Sequence, residues 1–153
     1  MSLDGSYNFR RINDRVTTSG VVGAERLGAL QASGYQALIN LLPDSSEYAV
    51  AGEADLVTAQ GVDYIYIPVD FAAPSQQDFD AFTRAMDQLD DRKVHIHCAA
   101  NFRVSAFYSL YAQRCGRWNT AQADAHIRDL WNPADEPAWA AFIASQRQNI
   151  SPG

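Results

Sequence analysis

The stretch from Lys93 to Phe107, KVHIHCAANFRVSAF, concentrates the residues able to do chemistry. A β-branched run ends in His97-Cys98, and Arg103 follows five residues after the Cys. A strand that stops at a thiol and a helix that starts soon after leave a short loop between them. In such a loop backbone N–H groups turn inward and the helix dipole adds positive potential, so an anion is favoured there. Arg103 would add a planar fork of donors matched to paired oxygens. The same field favours thiolate over thiol, so that a nucleophile and an oxyanion binder would share one loop. Spacing alone leaves a plainer alternative open, in which Cys98 is a small buried residue at a strand end and Arg103 a surface ion-pair partner.

Strand-like and helix-like segments alternate along the chain and must position that loop. Arg15 to Ser19, Ala37 to Leu42, Asp63 to Val69 and Lys93 to His97 read as strands, and the apolar run DYIYIPV suits a buried one. Helical patterns cover Ala24 to Ala32, Glu53 to Gln60, and a segment opened by Ser75 or Asp78 that runs to Leu89 with Phe79, Phe82, Met86 and Leu89 on one face. Further helices are expected over Val104 to Cys115, over Thr120 to Leu130 after an Asn-Thr cap, and near Pro137 to Gln148. The alternation predicts an α/β three-layer sandwich. Its sheet would be central, mostly parallel and of about four to five strands, with helices on both faces. Ligands in such sheets bind at the carboxyl ends of strands, where Cys98 falls.

A chain of 153 residues fits one domain, residues 1–153, with 1–8 expected to be a flexible or vector-derived end. With 47% hydrophobic and 20% charged residues it has a globular composition, without repeats or charge runs. A net charge of −6 and the absence of a basic stripe disfavour nucleic-acid binding. No apolar run is long enough to span a bilayer, and the N-terminus lacks the apolar core of a secretory signal. Two cysteines do not make a disulfide framework, so the expected compartment is the cytoplasm, or the periplasm if a signal sequence once preceded Met1-Ser2-Leu3.

His97-Cys98, the short loop, Arg103 and the helix after it resemble the signature of the cysteine-dependent protein tyrosine and dual-specificity phosphatases, which is His-Cys, five residues, Arg, then Ser or Thr. GYQALINLLPD (34–44) resembles the segment in which these enzymes lay down a core strand, and YIYIPVDFAAP (64–74) the strand and loop that present their general acid. The likeness is closer to a bacterial group of phosphatase-like proteins related to the beta-lactamase-hydrolase-like domain. That group has a contracted loop, an IPVD-like segment and a Trp-rich tail like DLWNPADEPAWAAFI. The resemblance covers roughly Phe9 to Ile143. It implies that Cys98 attacks phosphorus, that Arg103 clamps the nonbridging oxygens and that Asp70 is the general acid. The phosphate-binding loop would comprise His97, Ala99, Ala100, Asn101, Phe102, Val104 and Ser105, with His97 shaping it from below. Read on its own, Asp70 is equally a loop-capping residue, and Asp78 and Asp80 stand close behind it. The implied substrate is a phosphorylated small molecule or phosphoprotein, without cofactor or metal, nucleic acid or membrane; oligomeric state is not encoded.

The chain departs from the phosphatase pattern in three places. Only four residues separate Cys98 from Arg103, Asn101 stands where a loop glycine is usual, and Val104 stands where a hydroxyl is usual, with Ser105 one place late. Asn tolerates a positive φ, so the turn can survive. The contracted spacing is also that of rhodanese-like sulfurtransferases, which carry a persulfide on the cysteine. A third alternative is an inactive phosphate- or phosphopeptide-binding module. His95 and His97 share a strand face as metal ligands might, but Cys98 points to the other face. Cys115, Trp118, Trp131 and Trp139 read as packing, and nothing in the spacing of Glu53 assigns it to the site.

Overall fold

Val94 to His97 form the central strand of a five-stranded sheet in the computed structural model, which describes residues 2–150. In chain order the elements are β1 (Arg10–Arg11), β2 (Val16–Ser19), α1 (Ala24–Leu27), β3 (Ala37–Asn40), α2 (Glu53–Thr58), β4 (Asp63–Tyr66), α3 (Gln76–Gln88), β5 (Val94–His97), α4 (Phe102–Arg114), α5 (Thr120–Arg128) and α6 (Pro137–Ile150). The spatial order is β1-β2-β5-β3-β4, parallel throughout except for the antiparallel pairing of β1 with β2. Ser19 and Asn40 both stand level with His97, so three strands end together where the Cys98 loop begins.

Alternation along β5 divides its side chains between two layers. Val94, Ile96 and Cys98 belong to the larger apolar cluster, with α3, α4 and α6. Phe107 on α4 is fully buried there and meets Phe79, Phe82, Trp139 and Phe142 at ring distances of 5.4–5.9 Å. His95 and His97 point into the other layer, where Leu27, Leu30, Tyr35 and Val57 pack. The result is the expected α/β arrangement, a mostly parallel sheet with helices on both faces.

Several boundaries differ from the sequence expectation, each for a local reason. Ser75 caps α3 by accepting from the Asp78 amide at 3.1 Å, and Asn119 opens α5 with a reciprocal capping box. The pattern Ala24 to Ala32 yields a helix only to Leu27, after which the chain turns through Gly34 at φ 89. Asp63 to Tyr66 is an edge strand with half its residues exposed, not a buried one; its aromatic side chains suited either place. α4 begins two residues early, at Phe102, because Asn101 adopts a left-handed turn immediately before it. At the N-terminus, Leu3–Gly5 form a 3-10 turn whose Leu3 is buried, and the Tyr7 backbone bonds to Gly20 and Val21. Met1 and residues 151–153 lie outside the described residues.

Candidate active site

Cys98 ends β5 with its N–H on the Ser19 carbonyl at 3.3 Å, and the residue is 1% exposed. Asn101 turns the chain into α4 at φ 70, ψ 6, the left-handed region that Asn enters more readily than other non-glycine residues. Its side chain does what a glycine could not: Nδ2 donates to the Asn8 carbonyl at 2.9 Å and to Thr18 Oγ1 at 3.0 Å. The Ala99 carbonyl accepts from Val21 N–H at 2.9 Å, and the Ala100 carbonyl from Asn8 Nδ2 at 3.0 Å. The N–H groups of Ala99 through Val104, in contrast, meet no protein acceptor among the described residues; the first one paired is that of Ser105, on the Asn101 carbonyl at 2.9 Å. A run of unpaired amides between a buried thiol and the start of a 13-residue helix is an arrangement able to receive an anion.

Arg103 lies in the first turn of α4. Its Nη1 donates to the Val69 carbonyl at 3.0 Å, and its guanidinium carbon stands 5.4 Å from the centre of the Phe71 ring. Both partners flank Asp70, so the tertiary structure brings Arg103 against the Asp70 loop. Asp70 itself is exposed, and its Oδ1 accepts from Ala72 N–H at 2.9 Å. On the far side the Phe71 carbonyl accepts from Trp139 Nε1 at 2.7 Å. Asp78 and Asp80 sit on α3, where Asp80 holds Gln76 at 2.7 Å.

The hydroxyl at position 105 is turned away from the loop. Ser105 Oγ donates to the Phe102 carbonyl at 2.8 Å and accepts from Trp131 Nε1 at 2.9 Å, which commits it to joining α4 to the C-terminal tail. Its N–H is spent within the helix, so Ser105 adds no donor to the loop. Val104 is fully buried in the apolar cluster. Phe102 stacks on Trp131 with ring centres 5.0 Å apart, and Phe71 leans on both rings.

Beneath the loop, His97 Nε2 meets Glu53 Oε2 at 2.7 Å, and Nδ1 meets the Cys98 carbonyl at 3.3 Å. The imidazole thus bridges the Glu53 carboxyl and the backbone at Cys98. Glu53, 5% exposed, is the first residue of α2, where the helix dipole favours a carboxylate. Sequence reasoning left Glu53 unassigned, since it comes from an element 44 residues away whose only local signal is the acidic start of a helix. His95 is held between Thr17 Oγ1 (2.7 Å, Nδ1) and Ser19 Oγ (2.8 Å, Nε2). Burial foremost, and the neighbouring His97, push its pKa well below the ordinary 6.5. All four ring nitrogens of the two histidines thus have protein partners, and the pair serves structure. Cys115 stands at the other end of α4, about 20 Å along the axis at 1.5 Å per residue, well outside disulfide range of Cys98.

No family model matches the chain. It is similar to a DUF442 protein of Shewanella putrefaciens, described as a candidate phosphatase, with 36% identity over 97% of this chain and 94% of that one and a TM-score of 0.87. The Beta-lactamase hydrolase-like protein of Agrobacterium fabrum is 32% identical over 110 residues, 70% of this chain; the match spans a quarter (25%) of that protein's length. TpbA of P. aeruginosa, solved in complex with pTyr, is 15% identical with a TM-score of 0.72 over 100% of this chain and 96% of that one, and so shares the fold.

Proposed function

The chain belongs to the DUF442 family of phosphatase-like proteins, and from that premise we propose that it is a cysteine-dependent hydrolase of phosphate monoesters. The observation that carries this reading is the run of unpaired amides from Ala99 to Val104 beside the buried Cys98. They and the free donors of Arg103 would hold the three nonbridging oxygens of a phosphoryl group. Cys98 Sγ, as thiolate, forms the S–P bond while the bond from phosphorus to the leaving oxygen breaks and Asp70 gives that oxygen its proton. In the second step water attacks phosphorus, the Asp70 carboxylate takes its proton, and the S–P bond breaks to return the thiolate and inorganic phosphate. His97, held by Glu53, fixes the Cys98 carbonyl and so the root of the loop. An aryl phosphate, phosphotyrosine included, or a small phosphorylated molecule is the substrate class, in keeping with the ligand of TpbA.

A second reading, sulfur transfer, draws on two observations: the loop is a residue short, and the Ser105 hydroxyl is committed to Phe102 and Trp131. There the Cys98 thiolate would take the outer sulfur of thiosulfate, releasing sulfite, and pass it from the persulfide to cyanide. One experiment separates the two. The chain is mixed with an aryl phosphate, quenched and examined by mass spectrometry; phosphate on Cys98, absent in Cys98→Ser, is the expected result. Robust thiocyanate formation from thiosulfate, with no phosphate bound at millimolar concentration, would replace the first reading by the second. Phosphate binding without either turnover would make the chain a binding module.

A further inference from the structure

We infer that Asn8 is a positioning residue of the Cys98 loop, aiming the loop amides at a bound oxyanion by holding the loop carbonyls on the opposite side. The inference rests on the reading of that loop as an anion site. A trans peptide unit carries its C=O and the following N–H on opposite edges of one plane, so a bond that fixes the carbonyl also fixes where the next N–H points. The Ala99 carbonyl is held by Val21 N–H at 2.9 Å, which sets the Ala100 N–H. The Ala100 carbonyl is held by Asn8 Nδ2 at 3.0 Å, which sets the Asn101 N–H. Neither of those N–H groups has a protein acceptor among the described residues, so both remain available on the edge opposite the held carbonyls.

The clamp is reciprocal, and the molecule is shaped to admit it. Asn101 Nδ2 donates back to the Asn8 carbonyl at 2.9 Å, so each asparagine holds the other's backbone. Asn8 sits at φ 52, a conformation that turns its carbonyl toward the loop and that Asn tolerates. Gly20 N–H fastens the Asn8 segment by donating to the Tyr7 carbonyl at 2.7 Å. A Cβ at Gly20 would lie 2.3 Å from the Ala99 oxygen and 2.8 Å from the Ala100 Cα. Gly20 is therefore required for close approach: any side chain there would push the loop off its support. A residue that merely filled a left-handed turn would need neither the amide at position 8 nor bare backbone at position 20.

The test uses the full chain and two variants that both accept positive φ, Asn8→Gly and Asn8→Asp. Inorganic phosphate is titrated while the amide resonances of Ala100 and Asn101 are followed by NMR, and thermal midpoints are recorded as a control of folding. Wild type should show phosphate-dependent shifts at both amides. Asn8→Gly, which keeps the backbone conformation and loses the side-chain donor, should bind phosphate about tenfold more weakly, the size expected for one lost hydrogen bond. Asn8→Asp, which puts an acceptor against the Ala100 carbonyl, should bind more weakly still. Wild-type affinity in both variants, with wild type itself binding, would overturn the clamp and leave the anion site standing. Failure of wild type to bind phosphate would overturn both.

Discussion

The loop that carries Cys98 and the loop that carries Asp70 are held in opposite ways. The first is part-buried and braced from behind: Val21 N–H and Asn8 Nδ2 donate to its carbonyls, and its Asn101 side chain donates to Thr18 Oγ1, which leaves its own N–H groups free. The second is tied by backbone only at its buried start, where Val69 N–H donates to the Leu41 carbonyl, and around the exposed Asp70 it is pinned by side chains at the two flanking carbonyls, by Arg103 at Val69 and by Trp139 at Phe71. Backbone bracing suits a cradle whose donors must already point at the ligand, since nothing then has to reorganise when charge arrives. Side-chain pinning suits a loop that presents one group and can move. Arg103 belongs to both regions, so an anion that recruits its guanidinium also acts on the Asp70 loop.

The largest effect should come from the braced loop. Cys98→Ser should abolish turnover of an aryl phosphate while phosphate still binds, because the amides are untouched. Arg103→Lys should cost about a hundred- to a thousandfold in kcat, the scale of a lost oxyanion donor, and should also release Val69. A loss confined to KM would detach Arg103 from the reacting oxygens.

In the pinned loop, Asp70→Asn should depress kcat for an aryl phosphate with a poor leaving group far more than for one with a good leaving group, since only the former needs the proton. Equal losses on both would move the acid to Asp78, Asp80 or water. Trp139→Phe keeps most of the packing and removes the N–H that holds the Phe71 carbonyl. It should reproduce the leaving-group dependence of Asp70→Asn in weaker form and lower stability by about 1–3 kcal/mol, from the lost hydrogen bond and the space left by the smaller ring, as measured by denaturant titration.

The smallest effect concerns pH and sharpens the contrast. His95 bonds Ser19, whose hydroxyl donates to the Gly20 carbonyl behind the Cys98 loop, and its pKa lies well below 6.5 in the folded chain. Above about pH 6.5 it is neutral folded or unfolded, and its contribution to stability is complete. As pH falls below that value the unfolded chain binds a proton that the folded chain refuses, so stability declines, by up to about 1.4 kcal/mol per pH unit. Protection from hydrogen exchange at mildly acidic pH should fall in β2 and at the Val21 N–H that holds the Ala99 carbonyl before it falls at the Val69 N–H of the Asp70 loop. The reverse order would separate His95 from the brace.

Much of the site was legible because its signals are local. Strand periodicity up to His97, the apolar face of α4 and the tolerance of Asn101 for a left-handed turn all lie within a few residues of Cys98. The two-fold alternation of β5 also separated Cys98 from His95 and His97 without any knowledge of neighbours. The strand Asp63 to Tyr66 was legible as a strand but not as an edge, because its alternating aromatic residues satisfy either position.

The sequence by itself determined that a cysteine and an arginine would stand at one junction between a strand and a helix, since backbone preference and hydrophobic period act over a single turn or pleat. Only the tertiary structure decided what holds that loop. Asn8 reaches Ala100 across 92 positions, Trp139 reaches Phe71 across 68 and Glu53 reaches His97 across 44. Contacts at such separations follow from the order of strands in the sheet and the docking of the tail, which local spacing does not encode. The same docking drew the Ser105 hydroxyl to Trp131.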